Sequence, residues 1–166
     1  SKAEYDARLA GVREVMQDRG LDAMVIGDPA NINWLSGYDA WSFYTPQVML
    51  VDLHDGPFWV GRLMDAGAAK FTTYLSEAQV IAYPETLVQR PDTHPMAYLA
   101  DWMADRGFSA SRIGYESDSY FFSPRALATL LIRGGGGGKG EGGGGGGARA
   151  RRGGGPRCQH LPSRTW

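Results

Sequence analysis

Apolar residues recur at helical spacing over the first twenty positions. Tyr5, Leu9, Val12 and Met16 fall on one face and Gly20 follows as a stop, which predicts an amphipathic helix over residues 3–19. The next apolar stretch, Ala23-Met24-Val25-Ile26, is a short continuous run of buried-strand type that ends at Gly27-Asp28-Pro29. A carboxylate followed by proline marks a helix start, because Asp28 can accept from free backbone N–H groups and proline fits the first turn. The helix it opens is short and stops near Gly37, a suitable left-handed terminator.

Two apolar runs, Gln47 to Leu53 and Pro57 to Gly61, flank the turn-forming triplet His54-Asp55-Gly56 and read as a β-hairpin. Met64, Ala68, Phe71 and Leu75 mark a further amphipathic helix. Gln79 to Tyr83 is a strand closed by Pro84. Pro95 to Arg106 is a helix with Met96, Leu99 and Met103 on one face and Gly107 beyond its end. Arg112 to Glu116 is a strand, and Ser123-Pro124 repeats the cap-then-proline signal ahead of Leu127, Leu130 and Leu131. The order α β α β β α β α β α predicts an α/β fold in which a mixed β-sheet is flanked by helices. Trp34, Trp59 and Trp102 are expected in the core or at an interface.

The pattern breaks at Arg133. From Gly134 onward 15 of 33 residues are glycine, and so few apolar side chains cannot offset the cost of ordering the backbone. The expected division is a folded domain over 1–133 and a disordered Gly/Arg-rich low-complexity tail over 134–166. Gly, Ala, Arg and Pro supply 24 of the tail's 33 residues, the signature of a G/C-rich gene read out of frame. A frameshift product and a genuine flexible tail both fit that composition.

Charge separates the two segments further. The front carries 11 basic and 17 acidic residues, the tail six basic and one acidic, within a chain of net −1. An acidic front is a poor partner for nucleic acid. In the tail, Gly138-Lys139 is followed by Gly140 rather than a hydroxyl residue, so no phosphate loop is formed. Arg149, Arg151 and Arg152 lack the interleaved aromatics that stack on bases. The lone Cys158 excludes an internal disulfide and favours a reducing compartment. No window is apolar for long enough to span a bilayer, so no membrane partner and a cytoplasmic location are expected. Neither H-E-x-x-H, paired C-x-x-C nor G-x-S-x-G occurs. His54 and His94 read as solvated loop histidines and Asp52 and Asp55 as turn carboxylates; no catalytic and no metal-ligating residue is assigned.

The segment running from Asp28-Pro-Ala-Asn-Ile-Asn-Trp-Leu-Ser-Gly-Tyr38 to Tyr44 resembles the first strand–helix–loop of the amino-terminal domain of the creatinase, prolidase and aminopeptidase P family. The resemblance continues through Trp59-Val-Gly-Arg-Leu-Met-Asp65, Tyr83-Pro84, the helix at Pro95 and Ile113-Gly-Tyr-Glu116, covering residues 25–132. Within the family, Gly37 to Tyr44 and His94 to Tyr98 look most like the ectoine hydrolase branch. The resemblance implies a lid and dimerisation domain of a C–N bond hydrolase, not catalytic by itself. The reaction centre would lie in a carboxyl-terminal pita-bread domain that nothing in 134–166 matches. The final strand of the amino-terminal domain is also expected to be missing.

By the same resemblance, no cofactor belongs to this chain, and any divalent metal belongs to the second domain. The partners are a small zwitterionic substrate and a second copy in a homodimer. Trp41, Phe43 and Tyr44 are the lid candidates, since aromatic faces hold a cationic ring at about 0.5–2 kcal/mol per contact. Arg62 could pair the substrate carboxylate in a bidentate fork. The competing reading makes Trp41 and Phe43 a cover for the sheet edge and Arg62 a cap on a nearby carbonyl. Alternatives for the whole chain are the same domain of a prolidase or aminopeptidase P-like peptidase, or a stand-alone zwitterion-binding or dimerisation module.

Overall fold

A computed structural model describes residues 1–134 and 157–161. Helix α1 (Lys2–Asp18) leads into β1 (Ala23–Ile26), α2 (Pro29–Ser36), β2 (Val48–Asp52) and β3 (Phe58–Arg62). Then follow α3 (Ala66–Thr72), β4 (Val80–Tyr83), α4 (Pro95–Asp105), β5 (Arg112–Glu116), α5 (Pro124–Gly134) and β6 (Arg157–Leu161). The strands form one sheet in the order β4-β3-β2-β1-β5-β6. Only β2 runs against its neighbours; β1 pairs β5, β5 pairs β6 and β3 pairs β4 in parallel.

Alternation along the strands assigns the two faces. Met24, Ile26, Met49, Val51 and Trp59 meet Leu9, Val12 and Met16 of α1, Ile32 and Leu35 of α2, and Ala66 and Ala69 of α3. Val25, Val48, Leu50, Phe58, Val60 and Ile113 meet Met96, Leu99 and Met103 of α4, and Ala126 and Leu130 of α5. Both faces being covered explains why β1 and β2 are apolar at nearly every position rather than alternating with polar residues.

The hairpin forms where the turn triplet predicts it. Asp52 Oδ1 accepts from the backbone N–H groups of His54, Asp55 and Gly56 at 3.0, 2.7 and 2.8 Å, so a single buried carboxylate organises the turn. Toward the end of β3 away from this turn, Gly61 lies under the Trp59 ring; a Cβ there would stand 2.3 Å from the indole, so only glycine fits.

Two expectations change. The helix at 64–75 does not bury the stripe its spacing suggests, for Met64 is 69% and Phe71 92% exposed. A short helix, α3, instead sits on its alanines, Ala66 and Ala69, because small side chains let it approach the sheet closely. The tail also departs in part from the expectation of no folded element and no final strand. Residues 157–161 form β6 beside β5, completing a β5–α5–β6 crossover. Without it, the outer edge of β5 would leave a row of backbone groups unpaired beside buried Ile113, Gly114 and Glu116. The rest of the predicted disordered tail, 135–156 and 162–166, lies outside the described residues. Among the described residues no helix is long and apolar enough to cross a membrane.

Candidate functional site

A cleft of about 280 Å³ opens at the carboxyl ends of the parallel strands. This is where open α/β sheets place ligands, because strand ends and helix starts converge there. Its floor begins at the corner between β1 and α2. Asp28 caps α2, its Oδ1 accepting from Ala30 N at 2.9 Å and Asn31 N at 3.4 Å. The corner is fixed from β5 by Glu116, fully buried, whose Oε2 accepts from Gly27 N and Asp28 N at 2.8 Å each while Oε1 accepts from Asn31 Nδ2. Burial pushes the Glu116 carboxyl above its ordinary range, and the three donors only partly offset that effect. The glutamate of the Ile-Gly-Tyr-Glu strand is therefore a structural tie, not a group offered to a ligand.

One wall is the segment from Gly37 to Gln47. It leaves α2 at Gly37, whose φ of 78° and close approach to the Tyr5 hydroxyl suit glycine. Asn33 Nδ2 donates to Tyr38 O at 3.1 Å at one end, and buried Tyr83 donates its hydroxyl to Pro46 O at 2.7 Å at the other. Between these anchors the aromatics protrude: Trp41 is 50%, Phe43 84% and Tyr44 54% exposed. Trp41 and Phe43 touch at a ring separation of 4.2 Å, and Phe121 meets the edge of Trp41 at 5.6 Å. All four rings line the cleft, joined by Tyr120.

Arg62 stands outside the lining. Its Nε lies 3.0 Å from Asp65 Oδ2 without pointing its N–H at that oxygen, and its Nη1 donates to Tyr44 Oη at 2.9 Å. Its guanidinium also stacks 5.2 Å from the Tyr44 ring centre, and Asp65 in turn accepts from Gln47 Nε2 at 2.8 Å. In this arrangement Arg62 meets the cleft indirectly, through Tyr44 and, by way of Asp65, through Gln47.

The opposite wall carries residues whose part the sequence did not disclose. His94 is half-buried rather than solvated, and its Nδ1 accepts from Met96 N at 3.1 Å as the cap of α4. Burial and then the neighbouring Arg125 charge hold the imidazole below its ordinary pKa, so the neutral ring carries its proton on Nε2. Arg125, one residue into α5, donates from Nη2 to the carbonyls of Arg90, Pro91 and Thr93 at 3.1, 2.9 and 2.8 Å. The only sequence signal for either was that each flanks a helix-starting proline. Trp59 is core as expected, Trp102 is half-buried against the core beside Phe58 with Arg106 over its ring, and Trp34 is partly exposed with Arg8 over its ring. Among the described residues no three His, Cys, Asp or Glu side chains come together as metal donors.

Residues 8–131 match the family model described as the Creatinase/Prolidase N-terminal domain. The chain is 46% identical over 132 residues to an ectoine hydrolase of Halomonas elongata, covering 79% of this chain and 33% of that protein. It is 40% identical over 132 residues to an uncharacterized hydrolase/peptidase of Sinorhizobium fredii, covering 78% and 33%. The chain thus spans about a third of the length of the curated relatives it matches. Among solved structures, the N-terminal domain of an Xaa-Pro dipeptidase from Lactobacillus brevis superposes with a TM-score of 0.63 at 16% identity, covering 76% of this chain and 87% of that one. A proline dipeptidase from Streptococcus agalactiae gives 0.64 at 14%, covering 95% and 94%.

Proposed function

The chain belongs to the creatinase/prolidase N-terminal-domain family, and we propose that it serves as the substrate lid and dimerisation domain of a C–N bond hydrolase acting on a small zwitterion of the ectoine type. The observation that carries the reading is the aromatic rim. In a domain whose other large apolar residues are mostly buried, Trp41, Phe43 and Tyr44 are held out around one cleft by anchors at both ends of their segment. Identity to an ectoine hydrolase across the same residues supports the substrate class.

The domain contributes binding and exclusion of water rather than the bond-breaking groups. Hydrolysis adds water across a C–N bond and needs a nucleophile and a proton donor for the departing nitrogen, which a further domain would supply, with a divalent metal as one option. Enzymes lower barriers by about 8–23 kcal/mol. Aromatic contacts at about 0.5–2 kcal/mol each fall far short of that and act chiefly on binding. A prolidase-like substrate is the second reading, favoured by the fold shared with proline dipeptidases.

The test is titration of the full 166-residue chain with ectoine and with a prolyl dipeptide, followed by tryptophan fluorescence and by ring-opening assay. Ectoine should bind with a millimolar dissociation constant, lose affinity in Trp41→Ala, and remain intact. Ring opening above buffer, or binding indifferent to Trp41→Ala, would overturn the proposal. Tighter binding of the dipeptide would move the peptidase reading to first place.

A further inference from the structure

The described domain is acidic, yet the lining of the cleft contains Arg90, Arg125 and His94 and not one aspartate or glutamate. Of these cations, Arg90 is already paired with Asp92, its Nε and Nη2 donating to the carboxylate at 3.0 and 3.3 Å. Arg125 is different. Its Nη2 is fastened to three backbone carbonyls, which fixes the plane of the guanidinium. Among the described residues nothing accepts from its Nε or Nη1, so a held guanidinium keeps N–H donors without a carboxylate, although Nη2, which both bidentate edges require, is already committed. His94, whose Nδ1 is committed to the cap of α4, has Nε2–H left as a neutral donor in the same lining.

We propose that Arg125 and His94 form the carboxylate end of the cleft, and that Trp41 and Phe43 form its cationic end. One small zwitterion then spans both. The inference rests on the lid reading for the identity of the ligand, and it moves the carboxylate partner from Arg62 to Arg125. A held guanidinium suits a carboxylate because its remaining N–H groups donate single charge-assisted hydrogen bonds, and the ordering cost has already been met by the carbonyl contacts. A cleft of about 280 Å³ lies at the small end of ligand pockets, which fits a molecule of amino-acid size rather than a peptide.

The readout is the His94 imidazole, followed by NMR in the full chain labelled at its three histidines. The charged groups around His94 are Arg125 on α5, and Arg90 with Asp92 on the segment ahead of α4. An anion seated on Arg125 should therefore raise the His94 pKa, since the Arg125 charge is one of the two influences that lower it. Three probes separate the ends: ectoine carries both charges, acetate only the carboxylate, tetramethylammonium only the cation. Ectoine and acetate should shift His94 and tetramethylammonium should not.

Arg125→Gln should abolish both shifts and weaken ectoine roughly tenfold or more, as for loss of a hydrogen bond to a charged group. Trp41→Ala should weaken ectoine but leave the acetate response intact. Should Arg125→Gln fail to fold, Arg125→Lys decides, since it retains the charge but not the guanidinium held in place by the three carbonyls, and it should still weaken ectoine several-fold. Ectoine binding equal in wild type and the Arg125 variant would overturn this inference and leave the lid reading standing. An Arg125-dependent acetate response, with ectoine no better than acetate and indifferent to Trp41→Ala, would sink the lid reading and retain the anion site. No His94 response to either carboxylate at roughly 50 mM, well above the expected millimolar constant, overturns the inference.

Discussion

Replacing Glu116 tests how the cleft is held open to ligand. Its carboxylate is the common acceptor for Gly27 N, Asp28 N and Asn31 Nδ2, and it is fully buried. Glu116→Ala leaves those three donors without an acceptor in a space too small for easy relaxation. At about 1–3 kcal/mol for each donor stranded away from water, less the relief of no longer burying a carboxylate, the net loss should be about 3–5 kcal/mol. That is a large share of the 5–15 kcal/mol typical of a domain. Glu116→Gln keeps one carbonyl oxygen for the two backbone donors, and Asn31 can turn its amide oxygen toward the new NH₂; the loss should be about 1–2 kcal/mol.

The two variants also differ in pH response. The folded pKa of Glu116 is raised above 4.5 by burial, so its contribution to stability is fully present below that value. It is lost as pH rises through the raised value, where the folded state must carry a buried charge. Glutamine is neutral throughout, so Glu116→Gln should remove that part of the decline. Urea unfolding followed by tryptophan fluorescence between pH 4.5 and pH 8 measures both effects. An alanine variant within about 1 kcal/mol of wild type would refute the acceptor role. A glutamine variant with the wild-type pH slope would refute the assignment of that slope to Glu116.

Two further substitutions probe the hairpin that carries the sheet centre. Asp52→Ala strands three turn N–H groups, one of them buried, and should cost about 2–3 kcal/mol in the same unfolding assay, whereas Asp52→Asn, which keeps an accepting oxygen, should stay within about 1 kcal/mol. Gly61→Ala drives a methyl group to 2.3 Å from the fully buried Trp59 ring and should cost about 1–3 kcal/mol, with a shift in tryptophan emission as the indole is displaced. Unchanged stability in Gly61→Ala would show that Trp59 has another place to go.

Local rules operating over a few residues were enough to specify most of the framework. The apolar run 23–26, the turn at 54–56, the cap-then-proline pairs at Asp28 and Ser123 and the stops at Gly20, Gly37 and Gly107 lie where helix and strand periodicity put them. Those signals carry their own physics: a side-chain oxygen for free N–H groups, a residue without Cβ for positive φ, a period of two or 3.6 for a buried face. The aromatic segment was singled out by its family resemblance rather than by spacing, and what the fold adds is that Trp41, Phe43 and Tyr44 stand exposed around the cleft.

Tertiary structure decided what sequence spacing cannot encode. Which face α3 buries depended on how close it could approach the sheet, and alanines won over Met64 and Phe71. The strand at 157–161 formed because β5 had an edge to fill, a demand that arises far from residues so polar in pattern. Arg62 and Arg125 are both single arginines flanked by unremarkable neighbours. Asp65 and Tyr44 engage the first, while three carbonyls orient the second toward the cleft. An arginine's role follows from which acceptors reach it first, and those acceptors come from loops that only the folded chain brings together.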